Sequence, residues 1–191
     1  MQLDENTNYI VSGLERSGTS MMMQILSAGG VPMAFDESRP ADESNPKGYY
    51  ELEGGKIINK LANGAFPLDQ FKGRFIKITT YGLQFLPPGN YKIIYSERNL
   101  EEILDSMEKM AGIKDGQRDE TRESFKKLNE LTKNKISTRG DTQILLVNYN
   151  DILSDPEPHI RKIIAFLELP LDFQKMIDVV DQKLYRQRRS H

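Results

Sequence analysis

The sequence contains no cysteine, which excludes disulfide scaffolding, thiolate catalysis and cysteine-ligated zinc. Histidine is scarce as well: His159 lies where a late helix should start and His191 is the terminal residue, so both read as solvated rather than catalytic. Neither sign of charge dominates. The 26 basic and 28 acidic residues leave a net charge of -2, which gives no general pull toward nucleic acid or an anionic membrane; any anion site must be local. Nowhere do ~18 apolar residues follow one another, the length a spanning helix needs. The start, MQLDENTNYIV, has neither a basic segment nor a long apolar run. A soluble, cytoplasmic protein is expected. Internal repeats, low-complexity segments and linkers are also missing.

What is present is ordinary for a globular chain: 38% hydrophobic and 28% charged residues, with 14 Gly and 9 Pro over 191 residues. That length fits a single domain over 1–191, with a basic tail over 185–191. Short β-branched and aromatic runs at Tyr9 to Ser12, Phe75 to Thr80, Tyr91 to Ser96 and Gln143 to Val147 read as buried strands. Helical spacing marks Gly18 to Ala28, Glu53 to Ala62, Leu100 to Met110, Glu120 to Asn134, Pro156 to Leu167 and Leu171 to Val180. The charged fourth segment, Glu120 to Asn134, reads as a solvated face or a lid. Strands alternating with helices imply an α/β fold whose parallel sheet is covered on both faces. The stretch from Ala34 to Lys47 is polar with two prolines and reads as an exposed loop.

The first strand runs into Gly13-Leu14-Glu15-Arg16-Ser17-Gly18-Thr19-Ser20. A strand, two glycines at this spacing and a helix set successive backbone N–H groups around an anion, at a helix end already carrying partial positive charge. A nucleotide triphosphatase loop continues with Lys and then Ser or Thr. Here Thr19 and Ser20 follow Gly18, and a cation, Arg16, sits inside the turn. Two other readings stand beside that of an anion cradle: a bare strand-to-helix turn with a surface arginine, and a degenerate kinase loop using ATP and magnesium.

The order Gly-x-x-Arg-Ser-Gly-Thr-Ser resembles the 5′-phosphosulfate loop of the P-loop sulfotransferases. Three further segments are similar to that family. Tyr95-Ser96-Glu97-Arg98-Asn99 with Ser106 matches its 3′-phosphate segment, an arginine followed by a serine eight residues on. Val147 to Pro156, continuing to Phe166-Leu167-Glu168-Leu169-Pro170, is similar to its late strand-turn-helix. Asn45-Pro46-Lys47-Gly48-Tyr49-Tyr50-Glu51 is similar to a stretch frequent in bacterial members. The resemblance implies an α/β, three-layer P-loop fold with a central, mostly parallel sheet flanked by helices. It implies 3′-phosphoadenosine 5′-phosphosulfate (PAPS) as donor, a hydroxyl or amine acceptor, and 3′-phosphoadenosine 5′-phosphate (PAP) as product, with no metal required. Arg16, Ser17, Gly18, Thr19 and Ser20 would hold the 5′-phosphosulfate, and Arg98 and Ser106 the 3′-phosphate. A fixed cation and N–H donors suit the charge that builds on the departing phosphate oxygen, and an arginine fork suits a terminal phosphate. For Arg98 the bland alternative is an ion pair with Glu101 or Glu102.

The chain departs from the family in three places. The Lys-Thr-His of many cytosolic members is replaced by Lys77-Ile78-Thr79, so Lys77 is kept as a catalytic residue while the histidine base is lost. Other branches use a glutamate; Glu51 is the leading candidate base, with Glu37, Asp36 and Glu43 open, and its bland alternative is a helix-start residue favoured by the dipole. The family's late Arg-Lys-Gly is absent, and Leu184-Tyr185-Arg186-Gln187-Arg188-Arg189 offers Arg186 and Arg188 to the nucleotide, or else forms a solvated tail. Tyr49, Tyr50, Phe66, Phe71, Tyr81 and Phe85 are candidate walls of an acceptor pocket or simply core. The rival classes are an ATP-magnesium phosphotransferase and a catalytically silent nucleotide-binding module.

Overall fold

The structure is a computed structural model that describes residues 2–43 and 45–180. Four strands, β1 (Asn8–Gly13), β2 (Phe75–Lys77), β3 (Tyr91–Glu97) and β4 (Thr142–Asn148), form one sheet in the order β2-β1-β3-β4. Every pairing is parallel: Ile10 opposes Ile76 on one side and Ile93 on the other, and Ile93 opposes Ile144. β1 is central and buried along its whole length, so its run of apolar residues divides between the two faces. Tyr9 and Val11 enter one core with Met22, Ile25 and Leu26 of α1 (Thr19–Ala28) and Ile160 and Ile163 of α6 (Pro156–Leu167). Ile10 enters the other with Ile57 and Leu61 of α2 (Ile57–Ala62), Phe66, Leu68 and Ile136. Each such aliphatic side chain contributes about 1.5–3 kcal/mol on burial. Helices therefore cover both faces, as an all-parallel sheet demands.

The remaining helices are α3 (Leu100–Ala111), α4 (Arg118–Ser137), α5 (Tyr149–Ser154) and α7 (Phe173–Asp178). Three expectations are corrected. β2 ends at Lys77: Ile78 makes one more bond, its N–H to the Val11 carbonyl at 3.0 Å, and Thr80 then opens a 3-10 turn over Thr80–Phe85. The helix expected from Glu53 is a 3-10 turn, Glu53–Gly55, followed by α2, because Gly54 and Gly55 adopt positive φ of 61° and 83°. α5 lies inside what read as a turn. Its N-cap Asn148 accepts from the N–H groups of Asn150 and Asp151 at 2.8 and 3.3 Å. No helix among the described residues is long and apolar enough to cross a membrane.

The charged helix α4 is tied to α3 rather than standing free. Arg118 pairs with Glu101, Asp105 and Glu108 at 2.9, 2.7 and 2.9 Å, and Arg122 with Glu101. Hydrogen bonds from Arg122 and Arg118 hold the Glu101 carboxyl at about 2 instead of the ordinary 4.5. A folded-state value below the unfolded one means stability that is fully present above pH 4.5 and is lost as the pH falls through about 2. In Glu101→Gln the melting temperature should fall modestly at pH 7, and the gap to the parent chain should close between pH 4.5 and 2. A gap that stays constant over that range would separate the clamp from this titration.

Candidate functional site

The candidate site lies in the crevice at the carboxyl ends of the strands, beside the point where chain order reverses around β1. Gly13 closes β1 at φ 150°, where a Cβ would fall 2.5 Å from the Ser96 carbonyl and 2.4 Å from Ser17 Oγ. Gly18 stands at φ 96°, and a Cβ there would be 2.2 Å from the Tyr149 ring. Between them Arg16 takes φ 66°, the left-handed turn that swings its side chain out of the loop. Asn99 caps α3, accepting from the Glu101 and Glu102 N–H groups at 2.9 and 3.3 Å, and Asn148 caps α5. α1 has no side-chain cap at Gly18, so its first turn presents uncapped backbone to the crevice.

A cavity of about 540 Å³ opens there, and its wall includes Arg16, Ser20, Glu51, Lys77, Arg98 and Ser106. Gly18 and Thr19 line it too. Ser17 does not: its N–H bonds the Leu14 carbonyl at 3.1 Å, its carbonyl accepts from Ser96 Oγ at 2.7 Å, and its own Oγ is buried beneath the loop without a partner. Arg186 and Arg188 lie outside the described residues, as does His191.

In the cavity wall Arg16 joins the two segments that the family resemblance assigned to the nucleotide. Its Nε donates to Ser106 Oγ at 3.0 Å, and its carbonyl accepts from Arg98 Nη1 at 3.0 Å. Arg98 is itself held by Glu102, Nε to Oε2 at 3.1 Å, with side-chain exposures of 7% and 2%. Asn150 Nδ2 donates to the same oxygen at 3.0 Å. The guanidinium lies 4.6 Å from the centre of the Tyr149 ring, the ring against which Gly18 packs. The ion pair with Glu102 and a position in the cavity wall therefore coexist.

Also in the wall, Lys77 Nζ meets Glu51 Oε1 at 2.8 Å, with side-chain exposures of 4% and 11%. It also donates to Ser20 Oγ at 3.1 Å and to the Tyr49 carbonyl. Burial pushes the Lys77 ammonium below its usual range, and the Glu51 charge opposes that shift. The second oxygen of Glu51 accepts from Arg39 Nη1 at 3.1 Å. α2 begins only at Ile57, so Glu51, in direct contact with Lys77, is not a helix-start residue. Glu43 also lines the cavity, whereas Asp36 accepts the Glu53 N–H at 2.7 Å and caps that turn.

One residue of the site, Arg39, carried no signal in the sequence. Arg39 sits in the polar, aperiodic loop, and its contacts with Glu51 and Tyr49 depend on how that loop folds back. Glu102 was legible only as a partner for Arg98. Of the six aromatics proposed as acceptor walls, Tyr49 alone lines the cavity. Phe66 stacks on Phe71 at 5.3 Å, Tyr81 meets Phe85 edge-on at 5.3 Å, and Tyr50 pairs with Phe35 at 4.8 Å. The aromatic acceptor pocket is corrected accordingly: those rings pack against one another instead.

A profile of the sulfotransferase domain matches residues 6–190. Comparison with curated protein sequences gives no match. Among solved structures the chain is similar to mouse sulfotransferase SULT7A1 complexed with PAP, at 17% identity and a TM-score of 0.54, covering 94% of this chain and 64% of that one. It is similar to sulfotransferase STF1 from Mycobacterium tuberculosis H37Rv at 15% identity, with a TM-score of 0.57 and coverage of 90% and 70%. The sulfotransferase domain of the Synechococcus PCC 7002 olefin synthase aligns at 16% identity, TM-score 0.57, with coverage of 92% and 78%. The chain thus spans a little under two thirds of the mouse enzyme. With its parallel sheet and phosphate loop, and with a family profile matched over nearly its full length, the chain belongs to the sulfotransferase domain family.

Proposed function

We propose that this chain transfers a sulfuryl group from PAPS to a hydroxyl or amine acceptor and releases PAP. The observation that carries the reading is the Arg16 junction. One residue of the phosphate loop is bonded through its side chain to Ser106 and through its carbonyl to Arg98, so that a 5′ anion site and a second cationic site share one wall. A donor with phosphate at both its 3′ and 5′ positions suits such a wall, whereas ATP carries no charge at its 3′ end. The lysine that would reach a γ-phosphate is replaced by Thr19.

In this reading the acceptor oxygen or nitrogen attacks sulfur, and charge accumulates on the 5′-phosphate oxygen that leaves. Arg16 and the N–H groups of Gly18 and Thr19 stabilise that oxygen. Lys77, fixed by Glu51 and Ser20, sits beside the loop to assist it, and Glu51 accepts the acceptor's proton. No step calls for a metal ion.

Calorimetric titration of PAP, AMP, and ATP with and without magnesium tests the donor assignment. PAP should bind tightest and without magnesium. Tight ATP binding that depends on magnesium would instead support a phosphotransferase. PAP binding without transfer to any of a broad set of acceptors would support a silent nucleotide-binding module.

A further inference from the structure

We infer that the acceptor is polyhydroxylated, a sugar or polyol, and that Glu51 and Arg39 engage two of its neighbouring hydroxyl groups. The inference rests on the sulfuryl-transfer reading and concerns the part of the cavity wall around Glu51. Arg39, Glu51, Thr79, Gly54, Gly55 and Ile58 all line the cavity. The Arg39 guanidinium lies 3.5 Å from the centre of the Tyr49 ring, so the face of this ring is covered by a cation. The phenol hydroxyl bonds both oxygens of Asp42, at 2.9 and 2.8 Å. The backbone at Gly55 runs so close to the carboxylate that a Cβ there would come within 2.9 Å of Glu51 Oε2. The recess beside Glu51 is thus walled by a carboxylate, a guanidinium and backbone.

A phenol or long-chain alcohol entering this recess would strip water from a carboxylate and a guanidinium and return no hydrogen bonds, which is costly. Two hydroxyls on adjacent carbons answer both groups. Arg39 Nη1 and Glu51 Oε2 are 3.1 Å apart, a separation that gauche neighbouring oxygens can match. Arg39 is also the accessible member of the cluster, at 37% side-chain exposure against 4% for Lys77. An incoming hydroxyl can therefore bond Arg39 while Lys77 keeps the other carboxylate oxygen in place.

The chemistry balances. The hydroxyl against Glu51 gives its proton to the carboxylate as its oxygen forms the new bond to sulfur. The bond from sulfur to the bridging 5′-phosphate oxygen breaks, and its electron pair stays on that phosphate beside Arg16. The neighbouring hydroxyl accepts a hydrogen bond from Arg39 and is unchanged. Arg39 is in this sense a specificity-determining residue, and a lone hydroxyl lacks half of the recognition.

The test uses the full chain with sulfur-labelled PAPS and, as acceptor probes, methyl glucoside, its monodeoxy analogues, 1,2-propanediol, 1,3-propanediol, 2-naphthol and 1-octanol. The adjacent diols should be preferred over the deoxy analogue or isomer lacking the neighbouring hydroxyl by about 10- to 100-fold in kcat/KM, the size of one charge-assisted bond. Arg39→Ala should erase that ratio, mainly through KM, while leaving PAP affinity unchanged. A preference for 2-naphthol or 1-octanol, or an unchanged ratio in Arg39→Ala, overturns the acceptor class and leaves sulfuryl transfer standing. So does failure of every diol probe in a chain that binds PAP. Absence of PAP binding overturns the donor reading and this inference together.

Discussion

Replacing Arg98 by alanine is expected to remove most of the preference for PAP over AMP and, at the same time, to destabilise the fold. The two effects have different sources. A charge-assisted bond to phosphate is worth about 1.5–3 kcal/mol, so loss of the guanidinium should cut the PAP-to-AMP affinity ratio by roughly 10- to 100-fold. The stability loss comes from the partner left behind. Glu102 has a side chain only 2% exposed, and breaking a buried ion pair by removing one member costs about 3–5 kcal/mol. The Asn150 bond at 3.0 Å brings no opposite charge. The double change Arg98→Met with Glu102→Leu removes both charges and should regain much of the stability, as buried pairs replaced by apolar residues do. It should not regain the nucleotide preference. Thermal melts and PAP and AMP titrations on the three proteins separate the roles; a double variant that still prefers PAP would take Arg98 out of the 3′-phosphate site.

That experiment depends on a pairing which was legible only through the family resemblance, whose segment is short and local. Arg98 follows a β-branched run, Asn99 caps the helix after it, and Ser106 lies eight residues on; alone it reads as a surface serine. The phosphate loop was legible because it too is local: a short apolar run, two glycines and an apolar periodicity lie within twenty residues. What could not be read is long in sequence and short in space. Arg39 lies in a region without periodicity, and the contact of Lys77 with Glu51, each singled out separately, arises only because β2 pairs beside β1. The end of β2 was hidden by Ile78 and Thr79, β-branched residues that favour a strand, whereas pairing stops where the chain turns into Thr80–Phe85. α5 was hidden by its brevity, six residues behind an asparagine cap. The aromatics misled through composition, since a large ring is as suited to a core as to a pocket.

Glu51→Gln is expected to lower kcat by about 10²- to 10⁴-fold, the usual worth of a positioned general base, with PAP affinity little changed. Glu51 is also the counter-ion of Lys77 at 2.8 Å, so a structural role must be told apart from a catalytic one, and pH does so. Burial already depresses the Lys77 ammonium in the folded chain, and without Glu51 it should be depressed further. A lysine whose folded value lies below its unfolded 10.5 costs stability wherever it is forced to stay charged. That cost is fully present below the folded value and disappears as the pH rises toward 10.5, because over that range the unfolded chain binds more protons than the folded one and stability rises with pH. The stability deficit of Glu51→Gln should therefore shrink as the pH rises. Its deficit in kcat should not, because an amide accepts no proton at any pH. If kcat instead recovers in step with stability, Glu51 acts only by holding Lys77, and the proton leaves the acceptor by another route. The double variant Glu51→Gln with Lys77→Met closes the argument: it should melt close to the parent chain, having no buried charge to compensate, while remaining at least as slow as Glu51→Gln.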